Sequence, residues 1–238
     1  MKYLLLLIFP VFSFAQDKFK VEYERVKFMD FGNDHDSSSQ EYSRPKYFEV
    51  VGNNNECLGK EIIRINNSQN SSKELNYVGG FKDLESYYNF EKDYLKVSRE
   101  MESKLYLIKL NIPKNNWNLT RETKMIKGFN AKKATYEEGD LMVEAWYSTE
   151  IKSKCGPEFY NNLPGLILEV KRSSKSDSKF YATYKLVSIQ LDSSIQFKEP
   201  TKGKVINENE FLTLEKDYRR RVNELVEAEN SKNGVDKD

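Results

Sequence analysis

The sequence predicts a mainly β fold: a curved antiparallel sheet with a C-terminal amphipathic helix packed on it. Three observations carry this. Apolar and polar residues alternate in many short runs bounded by turn residues, the period of half-buried strands. Aromatic residues make up 13% of the chain, and tyrosine and phenylalanine favour pleated surfaces and fill cores. Only from Asn207 does the apolar spacing change to three and four, the helical period.

The first strand runs over Lys18 to Phe28, with Phe19, Val21 and Tyr23 on one face and Lys18, Lys20, Glu22 and Glu24 on the other. Gly32 to Ser43 is polar and serine-rich, a loop. Tyr47 to Val51 and Glu61 to Ile65 are short strands either side of the turn region Gly52-Asn53-Asn54-Asn55. A second polar loop covers Asn66 to Lys73. Tyr87 to Phe90, Tyr94 to Met101 and Leu105 to Ile112 continue the series, closed by Pro113. Trp117 to Ile126 leads through Lys127-Gly128 to Phe129 to Tyr136, which pairs with Asp140 to Ser148 across Glu137-Glu138-Gly139-Asp140. Leu166 to Arg172 and Lys179 to Asp192 complete an antiparallel meander. In the helix, Phe211, Leu214, Tyr218, Val222 and Leu225 form the apolar face, and Asn207 with Glu210 resembles a capping box.

The central landmark is Trp146 to Val170, which holds two of the six prolines. Leu163-Pro164-Gly165-Leu166 reads as a type II turn, with proline presetting φ and Gly165 supplying the positive φ. It feeds the strand that starts at Leu166.

The N-terminus has a basic Lys2, an apolar run from Tyr3 to Val11 broken only by Pro10, and small residues at Ser13 and Ala15. This is the pattern of a signal peptide cleaved after Ala15. The run is shorter than the roughly 20 residues a membrane-spanning helix needs, and Gln16 stands where a lipoprotein needs cysteine. The expectation is residues 1–15 as signal peptide, 16–230 as one β-rich domain with its helix at about 207–229, and 231–238 as a flexible tail, with no transmembrane span in the mature chain. With 38 basic and 37 acidic residues, the charge offers no nucleic-acid surface. Cys57 and Cys155 are the two cysteines. In an exported chain they are either bridged or two separate buried thiols, and spacing alone does not decide between these.

The residues Trp117, Ile126-Lys127-Gly128-Phe129, Lys133-Ala134, Ala145-Trp146-Tyr147, Ile151, Gly156-Pro157, Phe159 and Leu163-Pro164-Gly165-Leu166-Ile167 resemble the GLPGLI family, exported proteins of Bacteroidetes named for a hexapeptide. The dense match covers about residues 117 to 170. Asn162 departs from the glycine that begins that hexapeptide, and the cysteine positions differ, so no disulfide pattern carries over. The resemblance implies the periplasm or the periplasmic face of the outer membrane. It also implies a strand pattern similar to the LolA/LolB open barrel, an analogy of fold.

Candidate chemistry is sparse. His35, flanked by Asp34 and Asp36, is the one histidine, too few partners for a transition-metal site, which takes three or four protein ligands. No Gly-x-Ser-x-Gly, Cys-x-x-Cys, phosphate loop or Gly-x-Gly-x-x-Gly is present. Glu137, Glu138 and Asp140 form a turn tip rather than a carboxylate pair across a cleft. Arg219 to Arg221 read as a solvated helix face. No cofactor and no metal is expected. The reading is a non-enzymatic envelope protein that binds a lipid or other apolar ligand, or an envelope protein partner. Trp117, Trp146, Tyr147, Leu163 and Leu166 would line its cleft. The alternatives are an accessory subunit of an outer-membrane transport assembly and, remotely, a hydrolase using His35.

Overall fold

The computed structural model describes residues 18–30, 40–42, 45–64, 81–177 and 180–233 of the 238-residue chain. The signal-peptide pattern, the His35 loop and residues 234–238 lie outside these residues. Among the described residues the strands are β1 Phe19–Asp30, β2 Gln40–Tyr42, β3 Lys46–Gly52, β4 Glu56–Ile62, β5 Phe81–Asn89, β6 Tyr94–Met101, β7 Lys104–Leu110, β8 Asn118–Ile126, β9 Phe129–Glu138, β10 Leu141–Ser148, β11 Leu166–Ser174, β12 Phe180–Leu191 and β13 Lys204–Asn207, followed by the helix α1 Glu208–Asn233.

They form one open, curved sheet in the order β13-β7-β6-β5-β4-β3-β1-β12-β11-β10-β9-β8, with β2 on β1. The expected fold class, mainly β with a C-terminal helix on an antiparallel sheet, is the observed one. The meander is more elaborate than sequence spacing suggested. β1 pairs with both β3 and β12, so the first strand lies at the centre and joins two meanders, β3–β7 and β12–β8. Every pairing is antiparallel except β13 on β7. The short β13 carries no alternation long enough to be read in sequence.

Local chemistry sets the turns. Lys127 and Gly128 take φ of 50° and 89°, the two left-handed positions of a type I′ hairpin turn. The strand expected at Glu61 to Ile65 begins earlier, at Glu56. The Asn53 side-chain oxygen accepts from the backbone N–H groups of Asn55 (2.8 Å) and Glu56 (3.0 Å), which makes the turn tight and starts the return strand at once. The type II turn expected at Pro164-Gly165 is also corrected. The left-handed residue is Asn162, at φ 68°, and Gly165 is not among the positive-φ residues. Gly165 serves close approach instead: a Cβ there would collide with the Ser148 carbonyl.

The apolar core gathers on β1. Phe19, Val21 and Tyr23 are fully buried and pack with Phe48, Val50, Tyr88, Leu95, Val97 and Leu186. Segment 149–165, between β10 and β11, covers this face. Its Ile151 and Cys155 belong to that cluster, and its Tyr160 and Leu163 to a second one with Tyr136, Tyr147, Ile167 and Tyr184. The helix takes a more peripheral place than expected. Its reciprocal cap is present, with Asn207 N–H donating to Glu210 at 2.8 Å and Glu210 N–H to Asn207 at 2.9 Å. Its first turns pack Phe211, Leu214 and Tyr218 on Met101, Tyr106, Ile108 and Ile206 at the β7–β13 edge. Leu225, assigned to the apolar face, is 69% exposed. Arg219, Arg220 and Arg221 pair with carboxylates of Glu215, Asp217, Glu224 and Glu102, which suits a solvated face.

Cys57 on β4 and Cys155 in segment 149–165 are joined by a disulfide across a sequence separation of 98. Removing it by the double change Cys57→Ser and Cys155→Ser is expected to lower the unfolding free energy by about 4–5 kcal/mol, the loop-closure value for so long a loop. Urea melts check this. On the outer face, burial works against the charge of Glu49, but hydrogen bonds and charges from Lys20 (2.6 Å) and Lys60 (3.3 Å) outweigh it and hold its carboxyl below the usual value. The folded state therefore favours the ionised form, and this stability is present near neutrality and lost as pH falls through the lowered value. Glu49→Gln is expected to flatten the acid limb of the stability profile in urea melts taken across that range.

Candidate functional site

A groove of about 300 Å³ opens between β1, β3, β4 and β5 and the turn at Glu158-Phe159. Its floor is built on β1. Strand alternation puts Arg25 in register with Phe19, Val21 and Tyr23, so a cation continues an apolar row. Arg25 forms an ion pair with Glu158, with 14% and 18% of the two side chains exposed. Its guanidinium also lies 5.1 Å from the Phe48 ring centroid. Tyr184, which faces Arg25 across β12, donates its hydroxyl to the second Glu158 oxygen. Burial, then the Glu158 charge, pushes the Tyr184 phenol well above its ordinary value, so it remains a donor. Lys27, two residues along β1, is lowered by burial and by the charges of Arg25, Lys46 and Arg172, against the pull of Glu158.

Glu158 has φ 49°, uncommon for a residue with a side chain. Its surroundings fix it there. Tyr88 donates to the Glu158 carbonyl at 3.0 Å, Tyr160 N–H donates to the Pro157 carbonyl at 3.1 Å, and the disulfide holds Cys155 just upstream. Phe159 is presented beside it with 49% of its surface exposed.

The opposite wall is β5. The register skips one residue between Asp83 and Glu85, a β-bulge at Leu84. Alternation would turn Leu84 away from its neighbours, yet Asp83, Leu84 and Glu85 all line the groove. Bulges of this kind re-aim side chains. Arg99 on β6 holds Asp83 by two hydrogen bonds, one at 2.8 Å, so this wall is fixed as well.

The residues singled out in the sequence as cleft lining have other places. Tyr147, Leu163 and Leu166 are buried in the two apolar clusters. Trp117 packs edge-on against Tyr136 at 4.7 Å and donates its indole N–H to the Asn161 carbonyl at 2.8 Å. Trp146 lies beneath Lys124, whose ammonium is 4.4 Å from the ring centroid, and bonds Glu144 at 3.2 Å. None of the five lines the groove. Of the motif Gly156, Pro157, Leu163, Pro164, Gly165, Leu166 and Ile167, only Pro164 is exposed; the motif packs this segment on the sheet. Glu137, Glu138 and Asp140 are exposed at the β9–β10 turn, where Asp140 bonds Ser174 and Ser176. Among the described residues no His, Cys, Asp and Glu group is placed to hold a metal ion, and no helix is long and apolar enough to cross a membrane.

The sequence matches the family described as N-glycanase peptide, N-terminal domain, over residues 82–207, more than half of the chain. No curated protein matches it. Two structures of PNGF-II share its fold. The C2 form has a TM-score of 0.57 at 14% identity, covering 84% of this chain and 32% of that one. The P21 form has 0.52 at 16%, covering 81% and 32%. The chain thus spans about a third of the length of PNGF-II. A LolA superfamily protein, NE2245 from Nitrosomonas europaea, overlays at a TM-score of 0.34 and 11% identity, over 79% of this chain and 92% of that one, too low to carry an argument about ligands. These matches correct the expectation of a protein with no enzymatic connection: the family is defined on an N-glycanase, and PNGF-II contains the same fold. The comparisons show the family and the fold of its N-terminal domain.

The Arg25–Glu158 pair yields a double-mutant test. Glu158→Gln leaves a half-buried cation uncompensated and is expected to cost about 2–3 kcal/mol, below the range for fully buried pairs because some exposure remains. Combining Arg25→Met with Glu158→Leu is expected to cost less than the two single changes added together. Urea melts of the four proteins measure both quantities.

Proposed function

The chain belongs to the family of N-glycanase peptide N-terminal domains, and on that premise we propose that it works in N-glycan processing, engaging N-glycosylated polypeptide as its ligand. The observation that carries this reading is the family match over 82–207. That range runs from β5 through β13 and contains the bulged wall Asp83-Leu84-Glu85 and the Glu158-Phe159 turn. An N-glycanase, by the meaning of its name, acts on N-linked glycans. A rigid groove with an exposed aromatic ring and polar side chains on both walls suits such a ligand. The reading includes export. The Lys2 to Ala15 pattern supports it, and the Cys57–Cys155 bridge suits an oxidising compartment, where N-glycosylated proteins of other cells are met.

The test uses the purified full chain, an N-glycosylated peptide and the same peptide without its glycan. Calorimetric titration is expected to show the glycosylated form bound at least about tenfold more tightly, a difference of roughly 1.4 kcal/mol. Mass spectrometry of the same mixtures reads whether glycan is released. Equal affinity for the two peptides, with no release, overturns the proposal.

A further inference from the structure

We infer that the groove between β5 and the Glu158-Phe159 turn is a subsite for a neutral sugar ring of the glycan, with Phe159 as its stacking face; this rests on the N-glycan reading above. Three observations lead there.

The first is an exposed aromatic ring on a fixed support. Phe159 is 49% exposed, while Phe48 and Val50 in the same lining are buried and Leu84 is half-buried. Its backbone does not share that freedom. Its carbonyl accepts from the Asn161 side chain at 2.9 Å, the Glu158 carbonyl from the Tyr88 hydroxyl, and the Pro157 carbonyl from the Tyr160 N–H. A ring held by its backbone and open on its face loses little conformational freedom when a ligand covers it. The negative face of an aromatic ring attracts the polarised C–H groups on one side of a pyranose.

The second is charge. The lining holds four cations and four carboxylates, equal in number, and six of the eight engage one another or a neighbour. Arg25 pairs with Glu158, Lys46 with Glu61 at 3.2 Å, Lys60 with Glu49 at 3.3 Å, and Asp83 with Arg99. An anionic sugar, an acidic peptide or a phosphate would need an excess of cations that this lining does not provide. A neutral polyol needs donors and acceptors side by side, and planar guanidinium and carboxylate groups serve vicinal hydroxyls in pairs.

The third is size. A volume of about 300 Å³ lies at the small end of ligand sites and admits roughly one or two sugar rings, not a folded partner.

The experiment titrates the full chain and its Phe159→Ala variant with the free neutral trimannosyl-chitobiose core, its disialylated extension, and the glycopeptide. Saturation-transfer NMR locates the bound ring protons. Expected is competition of the free core with the glycopeptide, an affinity loss of roughly tenfold for both in Phe159→Ala, the weight of one aromatic contact, and no change in melting temperature. Sialylation is expected to leave the affinity unchanged. If Phe159→Ala binds the core as well as the natural chain, the subsite lies elsewhere and this inference fails while the N-glycan reading stands. Tighter binding of the disialylated form overturns the neutral-sugar assignment alone. Failure of the natural chain to bind the glycopeptide overturns both.

Discussion

The arrangement depends on segment 149–165 being tied down across β1. A sheet this wide is expected to curl, and its inner face then needs something to bury it. The helix does not do so, since its packed turns end at the β7–β13 edge. The chain covers the face with its own connection between β10 and β11, and the ties are of different kinds. A disulfide runs to β4, the Tyr88 hydroxyl on β5 donates to the Glu158 carbonyl at 3.0 Å, and the Glu158 carboxylate meets Arg25 and Tyr184. The backbone polar groups of a buried connection need partners, and these side chains supply several. Covalent closure, apolar burial and a half-buried ion pair thus act on one seventeen-residue stretch. Strands far apart in sequence reach it together because the sheet bends around it.

That arrangement explains which parts of the fold could be read in advance. Strands such as β6 and β10 follow from alternation, which is local. The position of β1 does not. A central strand and an edge strand can share one alternating pattern, and nothing near Phe19 says that it pairs with both Val51-Gly52 and Leu191-Gln190. The glycine at 165 was legible as important and misread in kind. Sequence suggests a φ requirement, whereas the constraint is the Ser148 carbonyl brought against it by a tertiary contact. Asn162, which departs from glycine in the hexapeptide, is the residue that takes the left-handed conformation, and asparagine is among the few side-chain-bearing residues that do so readily.

The site was harder to see for a related reason. Trp117 and Trp146 read as cleft lining because tryptophan is a large apolar surface, yet one donates its indole N–H to Asn161 and the other lies beneath Lys124. Phe159 and Glu158 stand inside the Trp146 to Val170 landmark, Phe159 among the resemblance residues, yet neither reads as lining a site. One signal was available: Arg25 extends the row Phe19-Val21-Tyr23 in an otherwise apolar register. A cation in such a place calls for a buried carboxylate from elsewhere in the chain. The bulge at Leu84 left no comparable trace, since Phe81 to Asn89 carries no residue type that marks it.

Reaction motifs are easier to read in a sequence than binding surfaces, for a physical reason. Nucleophiles, bases and metal ligands are short constellations of special residues, so their absence is easy to note. A surface that grips a polyol needs only ordinary aromatic, acidic and basic side chains at the right spacing, and those types abound here. What separates Phe159 from any other exposed phenylalanine is the stiffness of its mounting, and stiffness is a property of the closed network around Glu158. The φ of 49° at Glu158 is tolerated because Arg25, Tyr88 and Tyr184 hold it from three strands. Loosening any of the three would let the turn relax and carry the ring away from the β5 wall. The half-buried ion pair, together with the Tyr184 hydroxyl, thus fixes the Glu158 turn against β1 and β12 at the edge of the groove.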